Sequence, residues 1–113
     1  MQYEQYDPEM EILQRLRRWQ NDGKLPEDVP QLIDRVVRSS HQNRHVLIVT
    51  WILNHLQPLV RRPIAFPTYI DANFTLNLMG QFETLRYVIP TRRARMNDAI
   101  RTILYYLQQH TAI

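Results

Sequence analysis

Positions 45–56 read HVLIVTWILNHL, a segment that is apolar on nearly every side of a helix and must therefore be covered by the rest of the chain. Its apolar run, 46–53, is well short of the ~20 residues that a membrane span needs. Polar residues follow this run, and Pro58 disfavours further helix. We therefore predict a helix over 41–57 that forms the buried axis of the domain and does not cross a membrane.

The composition indicates one globular domain. The chain has 113 residues, of which 44% are hydrophobic and 22% charged, enough for a single core without metal or disulfide support. It has no cysteine, which excludes disulfides, thiolate metal sites and cysteine nucleophiles. The first seven residues lack the basic start and apolar run of a secretory signal. We expect a single helical domain over 1–113 and a cytoplasmic location.

Helix signals flank the central segment and predict an all-α fold, a compact bundle of four to five helices. Outside the ambiguous region 71–89, helices are predicted over 8–20, 29–38, 41–57 and 92–109. The first begins at an N-cap formed by Asp7, and the last at an N-cap formed by Thr91. Prolines make 58–68 an extended connection.

The region 71–89 is compatible with two structures. A helix gathers six large apolar side chains on one face: Phe74, Leu78, Phe82, Leu85, Val88 and Ile89. A hairpin at 72–89, turning at Gly80, also pairs apolar residues but puts Glu83 opposite Leu78 on the buried face. We favour the helix, because burial outweighs a propensity deficit of about 3 kcal/mol. An α+β fold with the hairpin is the alternative.

Positive charge is carried almost entirely by arginine. The net charge is +3, and of 14 positive residues only Lys24 is a lysine. Arginine binds phosphates bidentately, although genomic base composition produces the same bias. The informative anomaly is Arg92, Arg93 and Arg95 at the start of the last helix, where the macrodipole disfavours cations by a few tenths of a kcal/mol each. An anion bound there would reverse that cost.

The arginine cluster therefore predicts a nucleic-acid or anion site, extended by Arg61 and Arg62 if the fold brings them near. The alternative is a solvated helix end at which Asp98 pairs with Arg95 or Arg101 and neutralises part of the charge.

Catalytic and metal signatures are missing from the sequence. His41 and His45 have i, i+4 spacing but no third ligand, so we predict a cap and a helix-surface position for them. His55 is predicted to be a hydrogen-bonded histidine at the edge of the core. The acidic residues are scattered singly, and no carboxylate pair is available for acid–base catalysis. We predict no catalytic residues, metal or cofactor.

The adjacent residues Tyr105 and Tyr106 point about 100° apart on a helix. One of them is then exposed unless a second subunit covers it, and we predict a homo-oligomer with contacts at both.

These observations favour a small, basic, non-enzymatic helical protein that binds DNA or RNA through Arg92, Arg93 and Arg95, with Arg61 and Arg62. The alternative is a protein–protein interaction or structural assembly subunit. In that case the arginines meet an acidic protein surface, and the apolar helix faces make subunit contacts.

Overall fold

A computed structural model describes residues 6–88 and 91–111, and all regular structure within them is helical. The helices are α1 (Pro8–Gln20), α2 (Val29–Val37), α3 (His41–Leu56), α4 (Ala72–Tyr87) and α5 (Arg93–Gln108), with one 3₁₀ turn at Gln57–Leu59. The predicted all-α bundle is confirmed. The alternative hairpin at 72–89 is wrong, because Ala72–Tyr87 forms one helix.

Side-chain caps fix where three of the helices begin. The carboxylate of Asp7 accepts a hydrogen bond from the amide of Glu9 at 3.0 Å, as the sequence predicts, and the Asp71 carboxylate accepts from Phe74 at 2.7 Å. The hydroxyl of Ser40 accepts from the third residue of α3 at 3.5 Å. Such caps satisfy amides that have no acceptor inside the helix.

Helix α5 begins differently from the prediction. Its N-cap residue is Arg92, without a side-chain cap hydrogen bond, so the predicted cap at Thr91 is wrong. Because the first helical residue is Arg93, Thr91 lies one position too early for its hydroxyl to reach the second or third amide of the helix.

The apolar segment at 45–56 lies in α3, where Ile48, Val49 and Ile52 are fully buried. The opposite side of this helix, at Thr50 and Asn54, is exposed. Helix α3 therefore presents one face to the core, where it packs against α2 and α4.

Helix α4 packs against α1, α3 and α5. Its Leu78 and Met79 are fully buried. Thr75 is fully buried as well, and its hydroxyl donates to the carbonyl of Asp71 at 2.9 Å, which satisfies the buried polar group. The stretch that was ambiguous in the sequence thus shares the centre of the bundle with α3.

A polar cluster of Glu9, Arg44 and His45, here called the Glu9 cluster, joins α1 to α3. Nε2 of His45 lies 2.7 Å from the Glu9 carboxylate, and Arg44 lies 3.9 Å from its other oxygen. Arg44 also donates to the carbonyl of Val36 at 3.3 Å. The predicted surface position of His45 is wrong, because Glu9 covers it and leaves it 5% exposed. His41, one turn earlier, is exposed.

A second polar contact joins α1 to α4. Arg15 donates to the carbonyl of Leu76 at 2.9 Å and lies 3.5 Å from the Glu83 carboxylate, which also accepts from the indole of Trp19. A Cβ on Gly80 would lie 3.3 Å from the guanidinium of Arg15. The glycine inside α4 therefore gives this arginine room to lie against the helix backbone.

The connection between α3 and α4 is extended, as its prolines predict, and is held at two points. The side chain of Gln57 donates to the carbonyl of Arg62 at 2.9 Å and accepts from the amide of Ile64 at 2.8 Å. Further along, the amide and hydroxyl of Thr68 both donate to the carbonyl of His110. The Gln57 bonds brace the connection internally, and the Thr68 bonds hold it against the C-terminal end of α5.

No helix within 6–88 or 91–111 has both the length and the apolar character needed to cross a membrane.

Candidate nucleic-acid interface

Three arginines surround the start of α5. Arg92 is the N-cap, Arg93 the first helical residue, and Arg95 lies in the first turn; all three are exposed. None of them forms a salt bridge with another residue that the structure describes. The first turn contains no acidic residue, so helix dipole and side chains contribute positive potential at the same place.

Helix α1 shows the arrangement that α5 lacks. Its N-cap Asp7 accepts a backbone hydrogen bond, and Glu9 and Glu11 supply negative charge in the first turn. Both features stabilise a helix start. The contrast within one chain shows that α5 begins with neither of the usual compensations.

Asp98 is placed to neutralise an arginine, but it does not pair with the cluster. Its carboxylate lies 4.0 Å from Arg101, and both side chains are more than three-quarters exposed. An exposed pair at that distance contributes at most about 1 kcal/mol. The charge of Arg92, Arg93 and Arg95 therefore remains uncompensated within the described residues.

A cleft of about 370 Å³ separates the end of α4 from the start of α5. This volume lies within the range of roughly 300–1,000 Å³ that is typical of small-molecule sites. Its lining residues are Thr84, Tyr87, Val88, Arg92 and Arg95. We call this space the α4/α5 cleft.

The loop after α1 reaches the α4/α5 cleft from the side. The hydroxyl of Tyr87 donates to the carboxylate of Asp22, and Nζ of Lys24 lies 5.1 Å from the centre of the Tyr87 ring. Asp22 also accepts from the amide of Lys24 at 2.8 Å, which orders the loop. Sequence reasoning missed Lys24 and Tyr87 because they are 63 positions apart and only the packing of α1 on α4 brings them together.

Arg61 and Arg62 are exposed but lie away from the α4/α5 cleft. Arg62 lines a separate cleft of about 380 Å³ with Leu104 and Gln108, among others. Those α5 residues follow Arg92 by 12 and 16 positions, which is about 18 to 24 Å along a helix axis. The fold thus separates the two groups of arginines that the sequence analysis combined.

The two adjacent tyrosines of α5 have different surroundings. Tyr105 is 65% exposed, so one of the pair is exposed, as their spacing predicts. Tyr106 stacks on Phe74 with ring centres 5.3 Å apart and contacts His110 edge-on. Burial raises the pKa of the Tyr106 phenol, and the charge of Asp71 adds to this effect. Tyr106 is therefore engaged within its own chain.

His55 occupies the core-edge position that the sequence predicts. Its Nε2 lies 3.1 Å from both carboxylate oxygens of Asp28, and its ring centre lies 4.3 Å from that of Trp51. Among the described residues, no three histidine, aspartate or glutamate side chains are grouped so that they could hold a metal ion.

No family model, curated protein or solved structure matches this chain. The arginines beside the α4/α5 cleft form a surface suited to a phosphate-bearing ligand, since guanidinium groups donate two parallel N–H bonds to phosphate oxygens.

Proposed function

We propose that this protein is a non-enzymatic nucleic-acid-binding protein whose main contact surface is Arg92, Arg93 and Arg95. The observation that carries the proposal is three exposed arginines, without ionic partners among the described residues, at a helix start that lacks a side-chain cap. Phosphates would supply the missing negative charge. Arg61 and Arg62, at the other end of α5, would contact a ligand that extends along the helix.

The test measures affinity for labelled RNA and DNA by fluorescence anisotropy at several salt concentrations. In Arg92→Glu/Arg93→Glu the net charge changes from +3 to −1, because each substitution removes two units. The matched control is Arg17→Glu/Arg35→Glu, which changes two exposed arginines and gives the same net charge. Losing two phosphate contacts should make the negative slope of log affinity against log salt less steep by about 1.4 to 1.8. The control should leave that slope nearly unchanged.

Stability should move in the opposite direction to affinity. Acidic residues at a helix start stabilise it, whereas cations oppose the macrodipole, by about 0.3–1 kcal/mol per charge. Because the double substitution changes the charge at the helix start by four units, Arg92→Glu/Arg93→Glu should raise the free energy of unfolding by roughly 1–4 kcal/mol while it weakens binding. Equal losses of affinity in this variant and its control would remove the site. Absence of binding to RNA and DNA at low salt would remove the function.

The second candidate function is an assembly subunit that binds an acidic protein surface or a second copy of itself. The observation that favours it is the set of exposed large apolar side chains, in which Tyr105 at 65% is accompanied by Leu59, Phe66 and Tyr69. Under this proposal the chain sediments as an oligomer at high micromolar concentration, and Tyr105→Ser shifts it toward monomer. A strict monomer in the unsubstituted protein contradicts it.

A further inference from the structure

We infer that the ligand of the α4/α5 cleft is a single strand, RNA or DNA, and that Tyr87 stacks on one of its bases. This inference rests on the proposed function and adds to it the class of nucleic acid and the residue that distinguishes a single strand from a duplex.

The ring of Tyr87 is exposed but conformationally restrained. It lines the cleft and is 46% exposed, while its hydroxyl is tied to the carboxylate of Asp22. A ring held in this way loses little conformational freedom when a ligand stacks on it. Aromatic rings of this kind are the platforms on which proteins bind unpaired bases.

Cations lie over and beside the ring. Nζ of Lys24 lies over one ring face, 5.1 Å from its centre, and Arg92 and Arg95 line the same cleft as Tyr87, so in this proposal the base stacks on the other face. The nearby acid Asp22 is engaged by the tyrosine hydroxyl and by the amide of Lys24. One nucleotide segment could therefore stack its base on the Tyr87 ring while its flanking phosphates bind Arg92 and Arg95.

The geometry favours a single strand because a platform needs an unpaired base. In a duplex the base faces are covered by their neighbours, and stacking on a protein ring requires a base to be extruded at a cost of a few kcal/mol. The arginines alone would accept the phosphates of either form. A contribution from Tyr87 therefore separates single-strand binding from general binding to phosphates.

The experiment compares Tyr87→Leu with Tyr87→Phe on oligonucleotides of RNA and DNA, each single-stranded and duplex. Both variants lose the hydroxyl bond to Asp22, but only the phenylalanine keeps an aromatic ring. Tyr87→Leu should weaken single-strand binding by about 5- to 150-fold, the range for loss of one stacked base. Tyr87→Phe should stay within about threefold of the unsubstituted protein, and duplex affinity should be similar in all three. Circular dichroism of each variant serves as the control for folding.

The outcomes separate this inference from the function on which it rests. Loss of affinity in Arg92→Glu/Arg93→Glu without any loss in Tyr87→Leu overturns the stacking role and leaves nucleic-acid binding in place. Equal losses in Tyr87→Leu and Tyr87→Phe assign the effect to the bond with Asp22 and also overturn it. Duplex binding as tight as single-strand binding overturns the choice of ligand. If neither polymer binds at low salt, both the function and the inference fail.

Discussion

Glu9 contacts a buried arginine and a buried histidine, and replacing it with glutamine isolates what these contacts contribute to stability. Glutamine keeps the size of the side chain and removes its charge. The matched control is Glu11→Gln, in the same first turn of α1, whose carboxylate contacts the exposed Arg18 at 3.4 Å. Both substitutions remove one favourable charge from the helix start, and only Glu9→Gln disrupts the Glu9 cluster.

The magnitude follows from burial and distance. Removing one partner of a fully buried ion pair costs about 3–5 kcal/mol. Glu9 retains 21% side-chain exposure and lies 3.9 Å from Arg44, so we expect a smaller loss of about 2–3 kcal/mol. Glu11→Gln should cost about 0.3–1 kcal/mol, since an exposed pair contributes little beyond the helix-dipole effect. The difference between the two variants should therefore be about 1–3 kcal/mol.

The assay is urea unfolding at pH 7, followed by the fluorescence of Trp19 and Trp51 and extrapolated linearly to water. A double-mutant cycle adds Arg44→Met, which should cost less stability in the Glu9→Gln background than in the unsubstituted protein. Equal losses in Glu9→Gln and Glu11→Gln, within about 0.5 kcal/mol, would refute the reasoning. They would mean that the buried contacts contribute nothing beyond the charge at the helix start.

Two further predictions concern α4 and its neighbours. Burial raises the pKa of Tyr106 above its ordinary value of 10.0, so the stability that is present below about pH 10 is lost as the pH rises through the folded-state pKa. Tyr106→Phe should flatten this decline in alkaline urea titrations, and an unchanged decline would contradict the prediction. Gly80→Ala gains about 1 kcal/mol of helix propensity, but its Cβ would lie 3.3 Å from the guanidinium of Arg15. Urea unfolding should therefore show a larger gain in stability when Arg15 is also replaced by alanine, and equal gains in the two backgrounds would exclude the steric conflict.

Local signals placed α1, α2 and α3 closely, but not α4 or the start of α5. Asp7 before Pro8 defines the start of α1 through a cap that the structure shows, and Pro58 follows the last turn of α3. In α4 the sequence left two structures open, because polar residues alternate with apolar ones. Packing against three helices decided in favour of the helix, since a buried face can outweigh weak local propensity.

Tertiary contacts explain what the sequence could not show. His45 was predicted to lie on the helix surface because the sequence shows no third metal ligand to go with His41 and His45; the carboxylate of Glu9 that covers it comes from another helix. Tyr87 and Lys24 meet for the same reason, through the packing of α1 on α4. Helical spacing in the sequence identifies which residues share one face of a helix. Which faces of different helices contact one another is known only from the folded structure.

The structure also narrows what the arginine bias means. Arg15 and Arg44 each reach a backbone carbonyl and a carboxylate from another helix, which a guanidinium achieves more readily than an ammonium because its donors are fixed in a plane. Part of the preference for arginine over lysine is thus structural and says nothing about a ligand. Arg92, Arg93 and Arg95 have no such contacts with described residues, and they oppose the dipole of the helix that carries them. Their position, and not the basic composition of the chain, is therefore the argument for a phosphate-bearing partner.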